Sequence, residues 1–342
     1  MSRRLVVWMH SDRYPTWSIP PQSLVRLRDV VGPDWTIESI EIVATASGDG
    51  AKVVPEPVLT AVGDAEIYFG FGIPVEVLRA GQKLRWVHSA AAGVWTSLAP
   101  EMRASDVQFT NSAGIYARPL AEWAIGAMLY FGRGFDLAAS KNDPWPFDAT
   151  ATAAGPLREI HGSRLTVVGY GGIGREIGRL AGALGMQVTA VRARPDQSQT
   201  GEVHRVFGPD RLNDAVADAH YVVLALPETA DSIGLFGRET LAAMRPDAVL
   251  LNLARGSIVD EAALIDALEA GALRGAALDV FAQEPLSADS PLLAMSNVLA
   301  TPHTGSVSPR FWHRQTDLMV ENLACYLRGD PLVNLVDRQR GY

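Results

Sequence analysis

A single cysteine, Cys325, stands among 342 residues, so no intrachain disulfide can staple the fold, and seven scattered histidines offer no paired spacing with cysteine for zinc. No metal site is therefore expected, and a reducing compartment fits. No apolar run approaches the ~20 residues of a membrane span. Positive charge is also short: 30 Lys and Arg face 38 Asp and Glu, a net charge of −8. That balance supplies no global field to collect nucleic acid or anionic lipid, so neither partner is expected and any anion has to be bound locally. The G-x-S-x-G elbow of many hydrolases is missing too. What the chain does have is 48% hydrophobic and 20% charged residues, a globular composition with material for about two domains. The strand-like "RLVVW" from residue 4 leaves no room for a secretory leader, so a cytoplasmic protein is expected.

Hydropathy patterning divides the chain. The N-terminal part reads as a small α/β unit with strands at "RLVVWM", "IEIVAT", "AEIYFGF" and "RWVHSAAAG". A long helical pattern, "RPLAEWAIGAMLYFGRGF", follows. The stretch from Lys141 to Ser163, rich in Pro, Gly, Ala and Asp, then reads as an exposed arm or linker. Beyond it strands such as "RLTVVG", "QVTAVRA", "YVVLALP", "AVLLNLA", "GAALDV" and "NVLATPH" alternate with helical segments. Nearly continuous apolar strands between helices imply a parallel sheet covered on both faces. The expected fold class is α/β, its second domain doubly wound.

The segment "VVGYGGIG" sets Gly169, Gly171 and Gly174 between a strand and a helix, with Gly172 and Ile173 at the helix head. The first glycine permits a tight turn, the second lets backbone approach a pyrophosphate, and the third lets helix pack on strand while its N-terminus faces the anion. A Rossmann-type dinucleotide site is the expectation. The second strand of such a unit usually ends, about 20 residues on, in an acid that accepts from the ribose hydroxyls. Here that point is Arg192, with Arg194 two positions beyond. A carboxylate would repel a 2′-phosphate, whereas a guanidinium grips it with paired N–H donors, so NADP is favoured over NAD. A solvated strand end is the alternative for either arginine.

Three further loops follow strands: "LNLARGSIVDE" with Arg255, "ALDVFAQEPL" with Asp279 and Glu284, and "ATPHTGS" with His303. In open α/β sheets ligands sit outside the carboxyl ends of the strands, so these loops should converge. Together with "LPETADSIGLF" and the upstream "TNSAGIYARPLAEWAIGAML", their order resembles the D-isomer-specific 2-hydroxyacid dehydrogenases, in the glyoxylate/hydroxypyruvate reductase-like branch. The chemistry suits the residue types. An imidazole, His303, can give a proton to a carbonyl oxygen near neutral pH, and Glu284 would orient it and keep it charged. Arg255 can bind a 2-oxo carboxylate and polarise the carbonyl.

The resemblance implies more. The glycine-rich domain, residues 109–304, would be inserted into a split, flavodoxin-like catalytic domain of residues 1–108 and 305–342, with closure between them excluding water. Ala91, Ala92, Gly93 and Val94 of "HSAAAGVW" match the family's substrate loop, and "YFGFG" at 68–72 would be a second. Asp279 and Ala254 would lie near the nicotinamide, Pro227 and Thr229 near the cofactor backbone. A homodimer would form through residues 111–160, with Trp145 packed there. Trp95 and Trp123 depart from the pattern, since many members carry a small polar or acidic residue at the first and an imidazole at the second. The short tail after His303 disfavours a regulated phosphoglycerate dehydrogenase, and Glu284 speaks against a formate dehydrogenase. An NADPH-preferring reductase of glyoxylate or hydroxypyruvate is the leading expectation. A reductase of bulkier apolar 2-oxo acids and a dinucleotide-sensing corepressor are the alternatives.

Overall fold

The computed structural model describes residues 3–11, 15–43, 46–47, 50–51, 53–138, 157–195 and 203–341. Two compact units divide the chain, Met1–Tyr116 with Ser308–Tyr342, and Ala117–Val307. The arm residues 139–156, Trp145 among them, lie outside the described residues.

The first unit holds strands β1 (Arg3–Trp8), β2 (Trp35–Ser39), a small hairpin of β3 (Ala46–Ser47) and β4 (Gly50–Ala51), then β5 (Ile67–Gly70), β6 (Trp86–Ser89) and β7 (Gln108–Thr110). Its helices are α1 (Pro21–Val31), α2 (Glu56–Val62), α3 (Val75–Ala80) and α4 (Pro100–Ala104). The main sheet runs β2-β1-β5-β6-β7, parallel throughout, which is the flavodoxin-like order. The second strand comes earlier than the expected residues 40–45. Ile37 pairs with Leu5, and the ladder closes when the Ile40 amide donates to the Val7 carbonyl. The apolar residues beyond it serve packing instead: Ile40 joins the core and the Ile42 carbonyl accepts from the Trp8 indole at 2.9 Å.

The second unit opens with α5 (Ala117–Gly132) and α6 (Phe135–Ala138). Strands β8 (Arg164–Val168), β9 (Gln187–Val191), β10 (Val203–Phe207), β11 (Tyr221–Leu224), β12 (Val249–Asn252), β13 (Gly275–Leu278) and β14 (Val298–Ala300) follow, with α7 (Gly172–Ala183), α8 (Leu212–Ala217), α9 (Arg238–Ala243) and α10 (Glu261–Glu269) between them. They form one parallel sheet in the order β10-β9-β8-β11-β12-β13-β14. The expected Rossmann-type α/β fold is present. Strand β10 was not legible in the sequence, because an edge strand with exposed His204 and Arg205 lacks the apolar run that marked its neighbours. Local signals set the helices elsewhere; the Asp260 side chain, for one, caps α10 by accepting from the Ala263 amide at 3.0 Å.

A last helix, α11 (Phe311–Arg328), returns to the first unit. Its Thr316 hydroxyl bonds Ser23 at 2.7 Å, and Val333 just beyond donates to Asn322. The units divide after Tyr116 and Val307, later than the expected 108 and 304. Residues 109–116 stay with the first unit because Val336 N–H donates to Phe109, Asn111 N–H donates to Asn334, and the Tyr116 hydroxyl donates to Ala90. Gly305 stays with the second because its amide donates to Asp279. No helix among the described residues is long and apolar enough to cross a membrane.

One face of the seven-stranded sheet buries Val222, Leu224, Leu250, Ala276 and Leu278 against Ile258, Leu264 and Leu241. Leu250 is fully buried there. Leu250→Ala should destabilise this unit by about 2–5 kcal/mol through lost transfer energy and a residual cavity. The check is the urea midpoint of unfolding, and an unchanged midpoint would contradict this packing.

Candidate active site

Because all seven strands of the second unit run the same way, every loop that follows a strand emerges on one edge of the sheet. Gly169, Arg192, Pro227, Thr229, Arg255, Asp279, Glu284 and His303 all stand in such loops. The strand order reverses between β8 and β11, and at that switch point Gly169 packs on its neighbour: a Cβ there would lie 2.6 Å from the Ala225 carbonyl. Its φ of 92° is in the left-handed region that favours glycine. A Cβ on Gly174 would collide with the Gly169 carbonyl, so helix and strand touch through it. At Gly171 a Cβ would meet nothing within 4 Å. That glycine is the N-cap of the 12-residue α7 and supplies no side-chain cap, so the first-turn amides of Gly172 and Ile173 have no acceptor from the cap or from within the helix. Open space beside uncapped amides fits a dinucleotide pyrophosphate.

Strand β9 ends at Val191, and the Arg192 amide donates to Phe207 of β10. Arg192 is partly exposed and Arg194 exposed. A bend at Ala193 separates the two arginines, so the extended strand geometry does not continue from one to the other. Pro227 and Thr229 lie in a turn tied by Ser232, whose hydroxyl donates to the Pro227 carbonyl and accepts from the Thr229 amide.

The three remaining loops are drawn together by specific contacts. Asn252, buried at the end of β12, accepts from the Ala254 amide and donates to the Arg255 carbonyl, which fixes the Arg255 turn. Gly256 lets that turn lie directly on the Phe281 backbone, where any Cβ would overlap. Glu284 accepts from the Phe281 amide through one oxygen and pairs with His303 Nδ1 at 2.8 Å through the other. Asp279, 1% exposed, accepts from the Thr301 hydroxyl at 2.6 Å and from the amides of Thr304 and Gly305 at 2.9–3.0 Å. These bonds hold His303 at φ 55°, a left-handed conformation costing a β-carbon residue about 1 kcal/mol or more. Neither Asn252, Gly256 nor Thr301 was singled out from sequence; a polar residue ending an otherwise apolar strand was the available signal for the first.

Electrostatics follow the geometry. The bond to Glu284 raises the His303 pKa against the opposing effects of burial and of Arg255. Burial pushes Glu284 up, but the His303 bond, its charge, the Phe281 amide and Arg255 bring it below its ordinary value. Asp279 is raised by burial, opposed by Thr301, the turn amides and His303. The arrangement is an imidazole whose protonated form is favoured by Glu284 and opposed by Arg255, a combination able to give a proton to an oxygen and to stabilise charge that grows there.

The expected substrate loop lies in the first unit, after β6. His88, fully buried, anchors its base: Nδ1 bonds Thr110 at 2.9 Å and Nε2 meets Ser112 and the Gln315 amide nitrogen at 3.2 and 3.0 Å. The Gln315 amide nitrogen can only donate, so His88 Nε2 accepts, and burial, which pushes the pKa down to about 3, keeps the ring neutral. The Ser89 hydroxyl accepts from the amides of Gly72 and Ala91, joining the two expected substrate loops, and Asn111 donates to Ala92. Gly93 is exposed and Val94 buried in the core. None of this supporting network was evident from sequence.

A family model for the NAD binding domain of D-isomer specific 2-hydroxyacid dehydrogenases matches residues 125–305. A glyoxylate reductase of Korarchaeum cryptofilum is 30% identical over 78% of this chain and 80% of its own length. A D-isomer specific 2-hydroxyacid dehydrogenase from Xanthobacter autotrophicus, solved with NADPH and MES, superposes with a TM-score of 0.77 at 27% identity over the whole of both chains. An NADPH-dependent glyoxylate/hydroxypyruvate reductase from Sinorhizobium meliloti, solved with NADP and malonate, gives 0.73 at 26% identity over 99% of this chain and 98% of its own. The fold and loops thus define a dinucleotide-dependent oxidoreductase. The chain belongs to the D-isomer specific 2-hydroxyacid dehydrogenase family.

The Glu284–His303 pair makes a direct prediction. Since the folded pKa is raised, the imidazolium is favoured below that value and lost as pH rises through it. Glu284→Gln should lower the His303 pKa, measured by NMR titration of the ring; an unmoved pKa would show that the pair is not formed.

Proposed function

We propose that this chain reduces a small 2-oxo acid, glyoxylate or hydroxypyruvate in the first instance, to the D-2-hydroxy acid, with NADPH preferred over NADH. The observation that carries the reading is the His303–Glu284 pair on the same sheet edge as the glycine turn and Arg255. A bound reduced nicotinamide supplies the hydride. His303, kept protonated by Glu284, gives its proton to the carbonyl oxygen, and the guanidinium of Arg255 pairs with the substrate carboxylate and polarises the carbonyl. Ala254, behind Arg255, and Thr229 would border the cofactor. Among the described residues no hydrogen bond is made by the amides of Ala92, Gly93 and Val94, which supports a carboxylate-binding role for that loop. NADP preference rests on Arg192 standing where an acid would exclude the 2′-phosphate, and the NADP-bound relatives agree with it. A homodimer in the cytoplasm is the assembly we propose. The exposed indole of Trp95, following Val94, favours as second reading a bulkier apolar 2-oxo acid.

The test is initial-rate oxidation of NADPH and NADH with glyoxylate, hydroxypyruvate, pyruvate and phenylpyruvate. NADPH turnover well above NADH is expected; turnover with NADH alone would reject the arginine argument, and phenylpyruvate as best acceptor would move the second reading ahead. Arg192→Asp should raise KM for NADPH far more than for NADH. His303→Asn should lower kcat by about 10²–10⁴, the usual worth of a positioned proton donor. Retained turnover in that variant would remove the assigned role.

A further inference from the structure

We infer that Trp123 is a positioning residue for the proton donor: its indole N–H directs the Thr301 hydroxyl onto Asp279, and Asp279 holds the turn that carries His303. The inference rests on the reading of His303 as the acid, and every residue in it belongs to the second unit.

The argument is one of proton placement. A threonine hydroxyl has one proton and two lone pairs. Trp123, on α5, donates from Nε1 to Thr301 Oγ1 at 3.2 Å, and an indole nitrogen can only donate. A lone pair of Oγ1 is therefore taken, and its proton is left to point at Asp279 Oδ1, 2.6 Å away. Oδ1 also accepts from the Thr304 and Gly305 amides, and Oδ2 from Gly305. Gly305 permits this, since a Cβ there would lie 2.8 Å from Oδ2. Asp279 is too buried for water to replace a donor that turns away. Residues on both sides of the left-handed His303 thus depend on one carboxyl group staying fixed. Charged groups acting on His303 are Glu284, Arg255 and Asp279; His303 acts on Asp279 in return. Glu122, beside Trp123, is exposed and paired with Arg118 at 3.1 Å.

Trp123→Phe keeps the ring and removes the donor. Thr301 is then free to turn, and Asp279 is less well held as a carboxylate. The expected result is a fall in the His303 pKa of ~0.3–1 unit, with kcat reduced about 3- to 10-fold and the KM for cofactor nearly unchanged. The measurement is an NMR titration of imidazole resonances in the full chain, with His303 assigned from His303→Gln, alongside the pH profile of kcat/KM. Thr301→Val should give the same shift, and the double variant no more than either single one, because the effect runs through one hydroxyl. Thr301→Ser should restore the parent value. An unmoved His303 pKa in both Trp123→Phe and Thr301→Val overturns the relay. A pKa that moves while the kcat/KM profile stays put upholds the relay and rejects His303 as the acid.

Discussion

A carboxylate that is almost wholly removed from water must collect its hydrogen bonds from the chain that buries it, and the site depends on Asp279 doing so. Its donors come from Thr301, the first residue after β14, and from the two residues that follow His303. Isolating a charge in this way is costly unless each lone pair finds a donor. The cost falls only when the backbone takes the turn that leaves His303 left-handed. The imidazole is thus aimed at Glu284 by a bond network beneath it, not by its own rotamer alone.

A second constraint is the parallel sheet. Strands that all point one way place all their exits on one edge, which turns residues far apart in sequence into neighbours. Glycine sets how closely those exits approach. Gly169 lies against Ala225, Gly174 against Gly169, Gly256 against Phe281 and Gly305 against Asp279. At each of them a single β-carbon would push apart backbones or groups that the chemistry needs together. Buried side-chain amides do the complementary work: Asn252 pins the Arg255 turn in the second unit, and Asn111 pins Ala92 in the first.

Most of the fold and the pairing of Glu284 with His303 were legible because strongly apolar strands, a glycine turn and polar residues just after strands are local signals. Where strands were polar, as in β10, or where apolar residues packed beyond a ladder, as at Ile40 and Ile42, pattern alone misplaced or missed them. The unit boundaries shifted for a similar reason, since long-range bonds from Val336 and Asn334 to β7 and its following loop decide which side those residues join. Trp123 was visible only as a departure from a family pattern. Its partner, Thr301, lies 178 positions along the chain.

What the sequence determined by itself is the class of protein: a glycine turn between strand and helix, and an ordered arginine, glutamate and histidine after successive strands. Such features follow from residue type and spacing, which the chain carries without folding. Only the tertiary structure decided which groups hold these residues in place and which way their pKa values move. Burial and hydrogen bonding to partners remote in sequence set the upward shift of Asp279, the tilt of His303 toward its protonated form and the neutrality of His88. Desolvation exists only once the chain has closed around a group, and no local pattern encodes it.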